Sequence, residues 1–303
     1  MSKGLLLGAA VAVAAIVAAS GLPATTAFPG RSGRIVFDSV RRGNADLYAV
    51  SPSGKGLKRL THTRAQDVYP AWSPDGTRIA FTRFPGASPR VSSIYVMRAD
   101  GQGVRRLTGA KLEAFDPTWS ADGRRVAFGA GEEGEEEVYA IGVNRTGLAN
   151  LTNSLGSDLD PSWSPDGTRI AFSSNRDDPT GRSYAIYVMN ADGSGQTRLT
   201  FGEDLDVGVP SWSPDGSRIV FVGGPGDVAD LYVINGDGTG LTQVTTDGAD
   251  YDPAWSPDGS RIVFDNRSGR KAQLYVVNPD GSGLSRLRSD RFDDADPDWQ
   301  PLR

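Results

Sequence analysis

Six tryptophans punctuate a chain of 303 residues, and each stands at the same place in one repeated phrase. Trp72, Trp119, Trp163, Trp212, Trp255 and Trp299 are spaced by 47, 44, 49, 43 and 44 residues, a period that matches one four-stranded blade of a β-propeller. The text around the first five is YPAWSPDGTRIAF, DPTWSADGRRVAF, DPSWSPDGTRIAF, VPSWSPDGSRIVF and DPAWSPDGSRIVF. None of it has a helical period.

Each unit reads as a succession of strands and turns. A proline two residues before the tryptophan cannot donate to a ladder, so Pro70, Pro117, Pro161, Pro210, Pro253 and Pro297 are expected to mark the start of a first strand. Asp-Gly then supplies a turn, with glycines such as Gly76 and Gly167 free to take positive φ. The next run, such as Ile79-Ala80-Phe81 or Ile219-Val220-Phe221, is apolar on both parities, as expected of a strand covered on both faces by neighbouring blades. A third strand of the type Ile94-Tyr95-Val96-Met97 follows a variable loop, and a glycine-rich turn leads to a short outer strand, RLT at 106–108 or 198–200.

The two ends complement each other. SGRIVF at 32–37 aligns with the segment after the Asp-Gly turn, so the first copy has second, third and fourth strands but no first. The last copy has a first strand, ending at Trp299, and nothing after it. The expected fold is therefore all-β: a six-bladed β-propeller of four-stranded antiparallel blades, closed by the C-terminal strand joining the N-terminal blade. Such a ring leaves no long open sheet edge.

The unit PxWSPDGxRIAF…IYVMNADGSGxxRLT resembles the TolB-type propeller repeat, which also occurs in the N-terminal propellers of dipeptidyl peptidase IV-like proteins. The resemblance runs from Gly33 to Trp299. Proteins with the full TolB organisation carry a separate α/β domain that serves the Tol-Pal envelope system, and the peptidase relatives carry an α/β-hydrolase domain. These residues hold neither, so no Tol-Pal role and no peptidase activity is carried over.

Residues 1–28 read as a signal peptide and short linker, with the propeller expected over 29–303. Lys3 precedes an unbroken small and apolar run from Leu5 to Ala19, too short to span a bilayer, and cleavage is expected after Ser20 or Ala27. The product is expected to be exported, extracellular, periplasmic or envelope-associated, without membrane insertion after cleavage, and monomeric. With no cysteine in the chain, no lipoprotein anchor and no disulfide is available, and stability must come from burial and sheet hydrogen bonds. Loss of Lys3 leaves 31 basic residues against 37 acidic, a balance that argues against nucleic-acid partners, which need clustered positive charge.

Catalytic signatures are missing. His62 is the single histidine and falls in a loop, and no GxSxG elbow is present. Turns such as Asn190-Ala191-Asp192-Gly193 match the start of a calcium loop but lack its later bidentate glutamate, so turn chemistry suffices for them. The candidate site is a set of aspartates before each Pro-x-Trp: Asp116, Asp160, Asp252 and Asp296 three residues before the tryptophan, and Asp67, Asp158, Asp250 and Asp294 five before. First strands are innermost in a propeller, so these carboxylates are expected at one mouth of the channel, where calcium or a cationic ligand group could be held. The competing expectation is that each caps a turn or pairs with an arginine of its neighbour, the recurrent Arg34, Arg78, Arg125, Arg169, Arg218 and Arg261 being the candidates. No other cofactor is expected.

Loops of variable length, at Arg83–Ser93, Glu132–Glu137 and Ser174–Ala185, emerge on the same face as these acids, and variable loops on a rigid scaffold are where recognition sits. The expected function is a non-enzymatic binding or scaffold module that recognises a protein, peptide or glycan on this face. The alternatives are a polysaccharide-acting enzyme at the channel mouth, or an accessory subunit of a separately encoded peptidase.

Overall fold

A computed structural model of the chain describes residues 27–86, 91–109, 112–201, 206–226 and 228–302. The expected signal peptide and both of its cleavage sites up to residue 26 lie outside the described residues. Among the described residues no helix is long and apolar enough to cross a membrane.

Six four-stranded antiparallel sheets form a ring. Blade 2, taken from the inside outward, consists of Gln66–Trp72, Arg78–Phe84, Ser93–Arg98 and Arg105–Arg106. Blades 3 to 6 repeat this order, with first strands Ala114–Trp119, Asp158–Trp163, Asp206–Trp212 and Asp250–Trp255. Blade 1 is composite: Asp293–Leu302 supplies its first strand, beside Arg31–Arg41, Asn44–Val50 and Lys58–Arg59. The pairing of Ile35 with Trp299 and of Val36 with Asp298 joins the two ends of the chain in the expected register.

All six tryptophans are buried, none more than 2% exposed. In five of the six blades the arginine at the start of the second strand lies over the tryptophan of the next blade, as with Arg78 on Trp119 at 4.5 Å from the ring centre, Arg169 on Trp212 at 4.6 Å and Arg218 on Trp255 at 4.8 Å. Inside each blade a second-strand phenylalanine stacks on a third-strand tyrosine, as in Phe172 and Tyr187 with centroids 5.7 Å apart. The threonine of the RLT segment also has a job. Thr61, Thr108, Thr152, Thr200 and Thr245 each accept a hydrogen bond from a backbone N–H of the third strand, that of the residue before its tyrosine, at 2.9–3.0 Å.

One sequence expectation is corrected here. The prolines do not start the first strands but sit within them, at a β-bulge. In every blade two residues, the one at the proline and the one before it, oppose a single phenylalanine on the second strand, as Tyr69-Pro70 oppose Phe81 between the pairs Val68↔Thr82 and Ala71↔Ala80. A bulge tolerates proline because the extra residues have no ladder bonds to make. The residue before each proline is left-handed, with φ of 54° at Tyr69, 53° at Asp116, 52° at Asp160, 56° at Val209, 54° at Asp252 and 53° at Asp296. Aspartate accepts that conformation more readily than most side chains, which gives a structural reason for its recurrence.

Candidate binding site in the channel

The bulge aims these six residues inward, and all are buried, from 0% exposure at Asp116 to 6% at Asp296. Asp116 on blade 3 feels the charges of Asp160 on blade 4, Asp252 on blade 6 and Asp296 on blade 1. The four occupy the same left-handed bulge position on the innermost strands of their blades, which brings them together at the axis. Asp38 and Asp265, which follow the phenylalanine of their second strands, join them: Asp38 Oδ1 accepts from the N–H of Tyr69 at 3.4 Å, and Asp265 Oδ1 from the N–H of Asp296 at 3.4 Å. Thr82 and Ser173 fill the same role toward Asp116 and Val209. This latch between neighbouring blades escaped the sequence reading, although its signal is one polar residue directly after an apolar RIxF run.

The inner set is therefore Asp38, Asp116, Asp160, Asp252, Asp265 and Asp296, and among the described residues one guanidinium reaches it. Arg267 binds Asp252 Oδ2 at 2.6 Å and Asp265 Oδ2 at 2.7 Å. Asp252, Asp265 and Asp296 each bring an oxygen within 4.8 Å of the other two. Burial, followed by the like charges, pushes Asp116, Asp252 and Asp296 well above the usual carboxylate range. Burial likewise raises Asp38 and Asp160 to about 7. Asp116 is the extreme case, since neither of its oxygens has a hydrogen-bond partner.

The outer set behaves differently, and the arginine expectation is both upheld and corrected there. Asp67 is held by Arg83 through two contacts of 2.5 and 2.8 Å, Asp158 by Arg176 at 2.7 Å, and Asp294 by Arg41 at 3.3 Å and Arg288 at 3.4 Å. These arginines lie at the ends of second strands or in loops. The recurrent ones proposed from the sequence, Arg78, Arg125, Arg169, Arg218 and Arg261, occupy the Asp-Gly end of the blades and stack on tryptophans instead. Asp250 alone of the four has no arginine in the described structure; Asn266 donates to its Oδ1 at 2.7 Å.

The remaining candidates resolve into local chemistry. His62 is exposed. Asp192 Oδ1 is occupied by the N–H and hydroxyl of Ser194 at 2.9 and 2.6 Å. In the glutamate run, Glu136 is buried and accepts from Ser157 Oγ at 2.5 Å, and Glu137 accepts from Thr152 Oγ1 and from the Ser154 N–H. These two residues therefore anchor a loop and do not form a free charged surface.

Comparison with known proteins agrees with this architecture. The family model described as TolB beta propeller domain matches residues 109–302, more than half of the chain. A protein TolB homolog from Chlorobium luteolum is 44% identical over 55 residues, a stretch covering 18% of this chain and 13% of that protein. The match thus spans a small part of the curated relative. Among solved structures, TolB from Acinetobacter baumannii superposes with a TM-score of 0.78 at 25% identity, covering 89% of this chain and 67% of that one. A putative TolB from Agrobacterium tumefaciens gives 0.68 at 23% identity, covering 88% and 91%. A ring of six four-stranded sheets, each with a proline bulge two residues before its tryptophan, and a matching family model over more than half of the chain place it in the TolB β-propeller family.

Proposed function

We propose that this chain is a non-enzymatic binding or scaffold propeller, exported to the envelope or secreted, that recognises a protein, peptide or glycan on its loop-bearing face. In this reading the inner carboxylates hold a cation, either free calcium or a cationic group carried by that ligand. The observation that carries it is Asp116, fully buried, without a partner on either oxygen and surrounded by like-charged groups. An unpaired buried charge costs several kcal/mol, and a protein answers by keeping the proton or by taking a counter-ion. A cation would replace several protons at once.

The non-enzymatic part rests on two features. Four of the inner acids, Asp116, Asp160, Asp252 and Asp296, recur from blade to blade at one bulge position, which speaks for a structural origin and not for a dedicated acid–base pair, and the single histidine is an exposed loop residue. Crystals of the mature protein soaked near neutral pH with calcium, and separately with peptide and glycan mixtures, test the reading. Density within reach of Asp116, Asp160, Asp252 and Asp296 is expected. An empty channel in every soak, or turnover of a glycan in solution, overturns it.

A further inference from the structure

At the junction of blades 5 and 6, outside the channel, a second acidic group departs from the charge pattern of blades 1 and 2. Asp230 opens the third strand of blade 5, Asp230–Asn235. Asp247 lies in the loop that crosses to blade 6, and Asp250 opens that blade's first strand. The three carboxylates each offer an oxygen within 4.8 Å of the other two; Asp230 and Asp250 are buried and Asp247 is exposed.

In blades 1 and 2 the acids at the positions of Asp230 and Asp250 have a built-in positive partner, and both partners are missing here. In blade 1, Asp46 occupies the position of Asp230, and Arg59, paired across from Tyr48, binds it at 2.6 Å. In blade 5 the residue paired across from Tyr232 is Gln243, a neutral amide that donates to Asp230 Oδ2 at 3.0 Å. In blade 2, Asp67 is paired directly across from Arg83. In blade 6, Asp250 is paired directly across from Asn266. Two guanidinium groups have thus been exchanged for two amides around three carboxylates, and among the described residues none of the three forms an ion pair.

A second observation points to a ligand. Asp250 is 1% exposed, and its Oδ2 has no hydrogen-bond partner. Its other oxygen and Asp247 Oδ2 share the two protons of one Asn266 amide, each at 2.7 Å. The backbone is already fixed around them: the Asp250 N–H donates to the Ala229 carbonyl at 2.7 Å, the Gly248 N–H to Asp230 Oδ1 at 2.8 Å, and the Arg267 N–H to the Ala249 carbonyl at 2.8 Å. A divalent cation entering past exposed Asp247 would meet a preformed set of hard oxygen ligands and keep water on its open side.

We propose that Asp230, Asp247 and Asp250 form a calcium site that clamps the crossing between blades 5 and 6, distinct from the channel and independent of any ligand held there. Three carboxylates with room for water suit calcium, which accepts flexible oxygen coordination at about 2.3–2.6 Å, better than magnesium, which demands a near-ideal octahedron. Burial and the neighbouring Asp247 push Asp250 up to about 7, so without the cation the site relieves its repulsion by retaining a proton.

The test is calorimetric titration of calcium chloride into the full mature protein near neutral pH, together with anomalous diffraction from crystals grown in calcium. Binding in the range of about 0.1–1 mM is expected, as for extracellular calcium modules, with an anomalous peak among the three carboxylates. Asn266→Arg restores the blade 2 pattern and should abolish this binding event while the protein stays folded by circular dichroism. Asp247→Asn, at an exposed position, should weaken it at least tenfold, and Asp116→Asn in the channel should leave it unchanged. An anomalous map without a peak at this junction, or wild-type affinity in Asn266→Arg, overturns the proposal whatever happens in the channel.

Discussion

The buried inner carboxylates invert the usual response of a protein to acid. Asp38 and Asp160 sit at about 7 in the folded chain, against about 3.9 when unfolded. A carboxyl whose folded value is raised contributes stability that is fully present below the unfolded value and is lost as pH climbs through the folded one. Each pH unit between the two is worth about 1.4 kcal/mol per group, so raising the pH from about 5 to about 7 removes about 2–3 kcal/mol for one such carboxyl. That is a large share of a typical total of about 5–15 kcal/mol. In a chain of this size it lowers Tm by about 5–10 °C. The carboxylates of the Asp-Gly turns act in the opposite direction. Burial tends to raise them, but hydrogen bonds from Ser256 and Ser260 leave Asp258 lowered to about 2, and Asp75, Asp122, Asp166 and Asp215 are lowered by equivalent bonds. Their contribution is present above the unfolded value and is lost as pH falls through the folded one. Scanning calorimetry in EDTA from about pH 3 to about pH 8 should therefore give a maximum Tm at about pH 4, with a fall on both sides. A Tm that is flat or rises between about pH 5 and about pH 8 would refute the reasoning.

Further outcomes follow from the same geometry. Asp116→Asn removes the unpartnered acid with an isostere and should raise Tm at about pH 8 in EDTA while changing it little at about pH 4; equal shifts at both would mean that its charge is immaterial. Arg83→Met strands Asp67 and should cost about 3–5 kcal/mol in urea unfolding, most of it recovered in the double variant Arg83→Met/Asp67→Leu. Trp163→Ala opens a cavity under Arg125 and should cost about 3–5 kcal/mol, read by the shift of the urea midpoint at constant m value. Deleting residues 293–302 removes the closing strand and bares the edge of Arg31–Arg41, so aggregation or loss of cooperative unfolding is expected in light scattering and calorimetry.

The blades and their closure were legible because both rest on local pattern. Tryptophan spacing sets the period, and the text around Gly33 and Trp299 identifies which strand each end lacks. The acids that matter were legible as a list but not as two classes. Whether an aspartate stands three or five residues before tryptophan looks like a detail of spacing, yet the bulge makes it decisive. The first position turns to the axis, and the second stays in the ladder, where a side chain from the paired strand or the loop beside it reaches it. The arginine partners could not be assigned from recurrence, because in five of the six units the recurrent arginine is the one that stacks on tryptophan. Arg83, Arg176 and Arg288 do work particular to their own blades and stand at different distances from the repeat. Asp38 and Asp265 were missed because a polar residue after an apolar strand reads as the end of that strand. The junction of Asp230, Asp247 and Asp250 emerges only when cross-strand partners of different blades are compared, which requires register.

The proposal that the inner carboxylates hold a cation is tested most directly by Tm near neutral pH in an Asp247→Asn background, which removes the outer acid from the comparison. Calcium or an arginine amide, each measured against EDTA, should raise Tm by several degrees if the ligand is well above its dissociation constant, since a hundredfold excess stabilises by about 2.7 kcal/mol. The rise should vanish when Asp116→Asn and Asp252→Asn are added. An unchanged Tm with both cations, or an equal rise in the channel variant, would contradict the account.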